Sequence, residues 1–254
     1  MTARAKLKRG VQSGAEYMCR LPCQRVGCFC RAFLNTLPGI YRPHAYWRHR
    51  LRKYQFDLRG VGHKGFSHQE NKWMYSTARS VFLELCLEQR VDFRSAHMLD
   101  VGCGTGFYAN VFHQATGQHY LGIDITDVLF TKLRAQFPGF DFMKLDITSQ
   151  ELCETFDLVV MIDVTQHIVS PRKFSSAMQN IRSHLRQDGI LVLTSWLSEK
   201  IIRRTYYEVS RPLWLYKKEF PECEFSEPRK FRDKYIFSVR KQGQLGDIAG
   251  SQGR

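Results

Sequence analysis

Leu99-Asp100-Val101-Gly102-Cys103-Gly104-Thr105-Gly106 is the stretch that decides the fold: an apolar run ending in an acid passes directly into three alternating glycines. Glycine at such places lets the backbone turn tightly at positive φ and lets a ligand approach main-chain N–H groups that a Cβ would screen. The spacing narrows the ligand. A dinucleotide fingerprint, G-x-G-x-x-G, wants its third glycine one position later, and a Walker loop wants G-x-x-x-x-G-K-[ST]. Residues 102–106 satisfy neither.

Outward from this turn, apolar runs alternate with helical periodicity. Strands are read over 97–101, 119–124, 140–145, 156–162 and 190–196, with helices between them, one over 127–136 and a short one before the fourth strand. That alternation specifies a parallel sheet with helices on both faces. Upstream, Ser67-His68-Gln69-Glu70 is a capping-box pattern that opens a helix, and Met74, Ala78, Val81, Phe82 and Leu85 then recur at helical spacing. Ser170-Pro171 starts another helix, with serine as N-cap and proline at N1. Phe174, Met178, Ile181 and Leu185 are its buried stripe, and Asp188-Gly189 stops it. A helix over 199–217, an extended piece over 223–225 and an alternating strand over 234–240 follow. Two late strands with no helix between them pair antiparallel.

The 254 residues, 43% of them hydrophobic, support one core and at most a small appendage. No run approaches the ~18 apolar residues of a membrane span, and the N-terminus lacks a secretory h-region, so a cytoplasmic location is expected. Cys86, Cys103, Cys153 and Cys223 are dispersed through ordinary elements and read as free thiols of a reducing compartment. The net charge of +14 is concentrated: residues 1–60 hold thirteen Lys and Arg against Glu16 and Asp57. The chain therefore divides into a basic, poorly ordered arm (1–45), a domain (46–240, its first part, 46–92, a helical cap on a 97–240 α/β core) and a loose tail (241–254). Cys19, Cys23, Cys28 and Cys30 in the arm are spaced as C-x3-C-x4-C-x-C, which matches no common zinc frame, and no metal is expected.

Leu99–Gly106, Gly122-Ile123-Asp124, Lys144-Leu145-Asp146-Ile147 and Leu185-Arg186-Gln187-Asp188-Gly189-Ile190 together resemble the motifs of the class I S-adenosylmethionine-dependent methyltransferases, over roughly residues 67–240. The resemblance implies a three-layer doubly wound fold: a mostly parallel seven-stranded sheet whose last strand inserts antiparallel. It implies an enzyme with S-adenosyl-L-methionine as cofactor. Asp100, Asp124, Asp146 and Asp163 stand at the ends of four successive strands, where open α/β sheets gather their ligands. By resemblance, Asp124 accepts both ribose hydroxyls, as a carboxylate with two acceptor oxygens can, with Ile125 next to it. Asp146 accepts from the adenine amine, with the Ile147 backbone beside the ring. Asp100 and the backbone of Gly102, Cys103, Gly104 and Gly106 hold the methionyl end, the acid orienting the ammonium directly or through water. Asp163 completes the cofactor set.

The segment after the fourth strand carries neither the [DN]-P-P-[YF] of exocyclic-amine methylation nor a Pro-Cys nucleophile. Asp163-Val164-Thr165-Gln166-His167-Ile168 resembles the E-V-L-E-H-V of small-molecule methyltransferases of the ubiquinone-biosynthesis type, with Gln166 replacing the second acid. It implies a small-molecule acceptor methylated on oxygen, or on nitrogen or carbon. Positioning such an acceptor in line with a sulfonium methyl supplies up to ~7–11 kcal/mol of catalysis. A base is needed only where the acceptor must lose a proton, and His167 is the candidate, its other reading being a hydrogen-bonded part of the pocket wall. His63, His68, Asn71 and Tyr75 around the first helix, with Arg211 at a helix end and Arg232, are candidate substrate contacts. Trp73 reads as core packing, and the cations over 228–234 as facing solvent. Two other functions stay open: an RNA methyltransferase using the basic arm, nucleic acid being the less favoured partner, and a non-catalytic cofactor-binding scaffold, for which Gln166 speaks.

Overall fold

The computed structural model describes residues 41–63 and 65–242. The runs flanking the glycine turn become parallel strands: β1 (His97–Val101), β2 (His119–Asp124), β3 (Asp141–Lys144), β4 (Phe156–Met161) and β5 (Leu185–Ser195). A separate hairpin follows, β6 (Ile202–Thr205) and β7 (Glu208–Ser210), and then β8 (Cys223–Phe225), β9 (Arg229–Phe231) and β10 (Lys234–Lys241). The main sheet has the order β3-β2-β1-β4-β5-β10-β8, with β9 also pairing β10. β10 lies antiparallel between β5 and β8, in register from Tyr235↔Ser195 to Arg240↔Ile190. This is the mostly parallel sheet with an antiparallel late strand that the sequence motifs imply.

β4 and β5 sit at the centre and read as continuous apolar runs because both of their faces are covered. Leu158, Val159, Val160, Met161, Leu191, Val192 and Leu193 are all fully buried. Alternate residues feed opposite cores, as a two-residue period requires. Met98, Leu158 and Val160 join Phe82, Leu85, Tyr108 and Phe112 on one face; Leu99, Val159 and Met161 join Phe174, Ile181 and Phe237 on the other. The covering helices are α1 (Pro43–Tyr54), α2 (His68–Glu88), α3 (Phe107–Gln114), α4 (Phe130–Gln136), α5 (Pro171–His184) and α6 (Leu213–Glu219). The capping box opens α2: Glu70 N–H donates to Ser67 Oγ at 3.2 Å, and Ser67 N–H donates to Glu70 Oε2 at 2.7 Å. Ser170 caps α5 from Lys173 N–H.

Several expectations need correction. α5 ends at His184, not at Asp188-Gly189, because Leu185 already pairs with Phe156 of β4. The next pair is Leu158↔Ile190, so Asp188-Gly189 forms a bulge within β5, with Asp188 at φ +61°. No helix spans 199–217. Ile201, Ile202, Thr205, Tyr206, Tyr207 and Val209 favour extended backbone, and the segment makes the β6–β7 hairpin before the short α6. The stretch before β4 is a turn rather than a short helix. Trp73 is 69% exposed and is no core residue. Cys86, Cys103 and Cys223 are free thiols, whereas Cys153 is held in a disulfide. Cys19, Cys23, Cys28 and Cys30, with most of the basic arm, lie outside the described residues, as do positions 243–254 of the tail. No helix among the described residues is long and apolar enough to cross a membrane.

Candidate active site

The glycine turn carries the conformations that its sequence demands. Gly102 and Gly106 sit at φ +79° and +73°, and a Cβ at either would come within 2.5 Å of Val164 or Leu133. Gly102 and Cys103 N–H both donate to the Ile123 carbonyl, at 2.7 and 3.0 Å, pinning the turn to β2. Gly104 N–H donates to Asp124 Oδ2 at 3.1 Å, and Thr126 N–H to Asp124 Oδ1 at 2.9 Å. Burial nonetheless dominates and pushes the Asp124 carboxyl up to about 6. Asp100 lies beneath the turn, 2% exposed, and its Oδ2 accepts from Tyr120 Oη at 2.7 Å. Burial pushes it up to about 7.

A cavity of about 320 Å³ opens above the turn, walled by Gly102–Thr105, Asp124-Ile125, Asp146-Ile147, Asp163-Val164, His167 and Lys173, and roofed by Tyr41, Trp47 and Leu51 from α1 and the residues before it. Asp146 Oδ1 accepts from Thr148 N–H at 3.0 Å and Thr148 Oγ1 at 2.6 Å. Burial raises this carboxyl, but the Thr148 hydrogen bonds and Lys173, 3.8 Å away, outweigh it and hold it below its ordinary value. His44 of α1 bridges the two lips of the cavity: Nε2 lies 3.2 Å from Asp146 Oδ2 and Nδ1 3.2 Å from the Ile125 carbonyl.

Asp163 reaches the wall, but its oxygens are engaged elsewhere. Oδ2 accepts from Arg232 Nη2 at 2.9 Å and Oδ1 from Lys234 Nζ. Burial works against the charge, yet the two cations together hold the carboxyl far below the usual carboxylate range. Asp163 therefore serves an ion triad between the end of β4 and β10, and Arg232 and Lys234 do not face solvent as the sequence led us to expect. Arg232 is off the cavity wall, and its Nε has no partner among the described residues.

His167 ends a single 3-10 turn, Thr165–His167. Its Nδ1 lies 3.1 Å from the Tyr207 carbonyl, which only accepts, so Nδ1 carries the proton and Nε2 the lone pair. Burial lowers the imidazole to about 4, with Lys234 contributing, so the ring is neutral at neutral pH. It stacks on Tyr207 (5.7 Å, 7°) and meets the Trp47 ring edge-on at 5.0 Å. Tyr46 stacks on Tyr207 at 5.0 Å, and Trp47 Nε1 donates to Tyr41 Oη at 3.0 Å. α1 and the β6–β7 hairpin thus close over His167 as one aromatic cluster.

The remaining candidates separate. Tyr75 lines the cavity; His63, His68 and Asn71 do not. Asn71, fully buried, bonds both backbone groups of His63 and the Ser67 carbonyl, ordering the loop before α2, while His68 Nδ1 lies 3.3 Å from Asp57. Arg211 is not at a helix end and does not reach the cavity. Its guanidinium donates to the Thr165 and Ile168 carbonyls and lies 4.1 Å over Phe174, bracing the His167 turn from behind. The roof residues Tyr41, Trp47 and Leu51 and the wall residue Tyr108 were not marked by sequence; Pro43 at N1 with Trp47 and Leu51 four apart was the available signal.

The sequence family described as "Methyltransferase domain" matches residues 99–191. The tRNA (carboxymethyluridine(34)-5-O)-methyltransferase of Saccharomyces cerevisiae is 30% identical over 112 residues, 43% of this chain and 39% of that protein. The tRNA U34 carboxymethyltransferase of Alteromonas mediterranea is 25% identical over 171 residues, 63% of this chain and 46% of that protein. The chain thus spans less than half the length of either. Among solved structures, magnesium protoporphyrin IX methyltransferase from Synechocystis PCC 6803 superposes with a TM-score of 0.60 at 15% identity, covering 78% of this chain and 98% of that one, a likeness of fold. The strand order, the glycine turn after β1 and the matched domain converge: this chain belongs to the class I S-adenosylmethionine-dependent methyltransferases.

Proposed function

We propose that this protein transfers the methyl group of S-adenosylmethionine to an oxygen of a tRNA base. The observation that carries the oxygen is the state of His167. A neutral imidazole lowered to about 4 is a weak proton acceptor, so the site suits an oxygen that ionises without help, such as a carboxylate, rather than one that must be deprotonated on the enzyme. The printed names of the two curated relatives, both acting on tRNA, support the polymer. So does α1, which roofs the cavity with Arg48, Arg50, Arg52 and Lys53 and carries no acid.

The residues present fit the cofactor. The glycine turn is a cradle that a Cβ would fill, and Asp124 is a buried carboxylate on the cavity wall with lone pairs to spare. Asp124 and Ile125 would take the ribose, Asp146 and Ile147 the adenine edge, and the backbone of residues 102–106 the methionyl end. When bound, S-adenosylmethionine supplies an electrophilic sulfonium methyl. The chain contributes position: Trp47, Tyr207 and His167 present flat, largely apolar surfaces on which a planar acceptor stacks, and the roof excludes water. A second reading, a free small-molecule acceptor, is favoured by the near balance of charge in residues 61–254 and by the closed roof.

Radiolabelled S-adenosylmethionine incubated with bulk tRNA and, separately, with a metabolite extract tests both. Label released as a nucleoside by nuclease supports the tRNA base. Label confined to the low-molecular-weight fraction supports the second reading and refutes the first, and no label in either refutes both.

A further inference from the structure

Beside the glycine turn, two phenols reach the cavity wall from different helices, Tyr75 from α2 and Tyr108 from α3. Each is 7% exposed. Phe107 packs edge-on against both rings, at 4.8 and 5.2 Å, and Phe82 holds Tyr108 from the far side at 5.0 Å, so neither ring has room to swing away. The Tyr108 hydroxyl is buried and has no hydrogen-bond partner among the described residues. Such a group in a packed core is costly unless a ligand takes it up. Burial raises both phenols well above their ordinary range, which keeps them protonated and able to donate.

The surrounding charge indicates what they donate to. Both tyrosines lie in the field of Asp163 and Arg232. Asp163 is shared by Arg232 and Lys234, so this buried cluster carries one positive charge in excess. No Arg lines the cavity, and the one Lys on its wall among the described residues, Lys173, stands beside Asp146. An anion at the glycine end would therefore be met by neutral donors backed by a net positive field. Of the groups of S-adenosylmethionine, the amino-acid carboxylate is the one that needs such a place, and the backbone turn next to it is the methionyl end.

We propose that Tyr75 and Tyr108 form the subsite for the cofactor's amino-acid carboxylate, their two hydroxyls donating to its oxygens. The proposal rests on S-adenosylmethionine being the cofactor. It explains why a buried phenol is left unsatisfied on a wall that otherwise pairs its polar atoms.

The test compares two ligands that differ at that group, S-adenosylhomocysteine and 5′-methylthioadenosine, which keeps the nucleoside and thioether but lacks the amino acid. Calorimetry on the full chain and on Tyr75→Phe and Tyr108→Phe should show each variant losing about tenfold or more in affinity for S-adenosylhomocysteine, the usual effect of deleting a hydrogen bond to a charged group. Affinity for 5′-methylthioadenosine should stay within about twofold, since no bond to it is lost. Equal weakening of both ligands would assign the tyrosines to packing, and no weakening would exclude them from the subsite; either overturns the proposal. Circular dichroism reports folding, and if Tyr108→Phe is misfolded, Tyr75→Phe carries the same comparison. Failure of the wild-type chain to bind either ligand would instead overturn the cofactor assignment beneath the proposal.

Discussion

Replacing Asp163 with Asn removes the charge that two cations share while keeping the shape of the side chain. The backbone is not disturbed: Asp163 sits at φ +60°, a conformation that Asn tolerates as well as Asp. What remains is Arg232, its side chain 16% exposed, and Lys234, 7% exposed, facing each other without a carboxylate. Breaking one partner of a fully buried pair costs about 3–5 kcal/mol. The residual exposure of Arg232 lets water take up part of its charge, so the low end, roughly 3 kcal/mol, applies, a large part of the ~5–15 kcal/mol that holds a domain together. Urea denaturation at pH 7 should show that loss, and Asp163→Asn/Lys234→Met should recover part of it by removing the unpaired ammonium. The pH dependence has a definite sign. The folded carboxyl titrates well below its unfolded value near 4, so its stabilisation is present above about pH 4 and is lost as pH falls toward the folded value. The variant should lack that acid-side loss. A destabilisation below about 1 kcal/mol, within the range of a surface pair, would refute the buried triad.

Three further outcomes follow from the site. Asp124→Asn should weaken S-adenosylhomocysteine binding by about tenfold to a hundredfold in calorimetry, since bonds to a charged acceptor are lost; in the wild type, affinity should fall as pH drops below about 6, where Asp124 takes up a proton, and the variant should not show that fall. His167, lowered to about 4, should give no inflection near pH 6.5 in the kcat profile; an inflection there that His167→Gln abolishes would contradict its buried, neutral state. Asp100, raised to about 7, binds its proton more tightly folded than unfolded, so its contribution to stability is full below about pH 4 and is lost as pH rises through 7. Asp100→Asn should flatten that part of the Tm-against-pH curve, and an unchanged curve would show that the acid is not buried in its charged-disfavouring setting.

The sheet was legible because its signals are local. Four strand positions follow from apolar runs bounded by turns, and the starts of α2 and α5 from Ser67 and Ser170, whose caps need only residues three apart. The acids at strand ends were placed correctly along the chain for the same reason. What each acid touches was not legible, since that depends on elements distant in sequence. Asp163 looked like a ligand until β10 brought Arg232 and Lys234 against it, 69 and 71 residues away. Arg211 looked like an exposed helix-end cation because the β-branched and aromatic content of 201–209 was outweighed by a helical spacing that tertiary pairing overrides. The roof of the cavity escaped notice because α1 follows a run without periodicity, and Trp47 and Leu51 gain meaning only against His167 and the glycine turn.

The position of α1 bears on the timing of turnover. His44 spans Ile125 and Asp146, and the Tyr46–Tyr207 and Trp47–His167 contacts tie the same helix to the hairpin, so α1 lies across the rim by which nucleoside must leave. Methyl transfer leaves S-adenosylhomocysteine under that roof, and its replacement requires several contacts to break together. Departure of the spent nucleoside, rather than the displacement at the methyl, then sets the steady-state rate. Mixed rapidly with acceptor, the loaded enzyme would release a first equivalent of methylated product in a burst, followed by a slower linear phase that quickens when His44 is replaced by Ala.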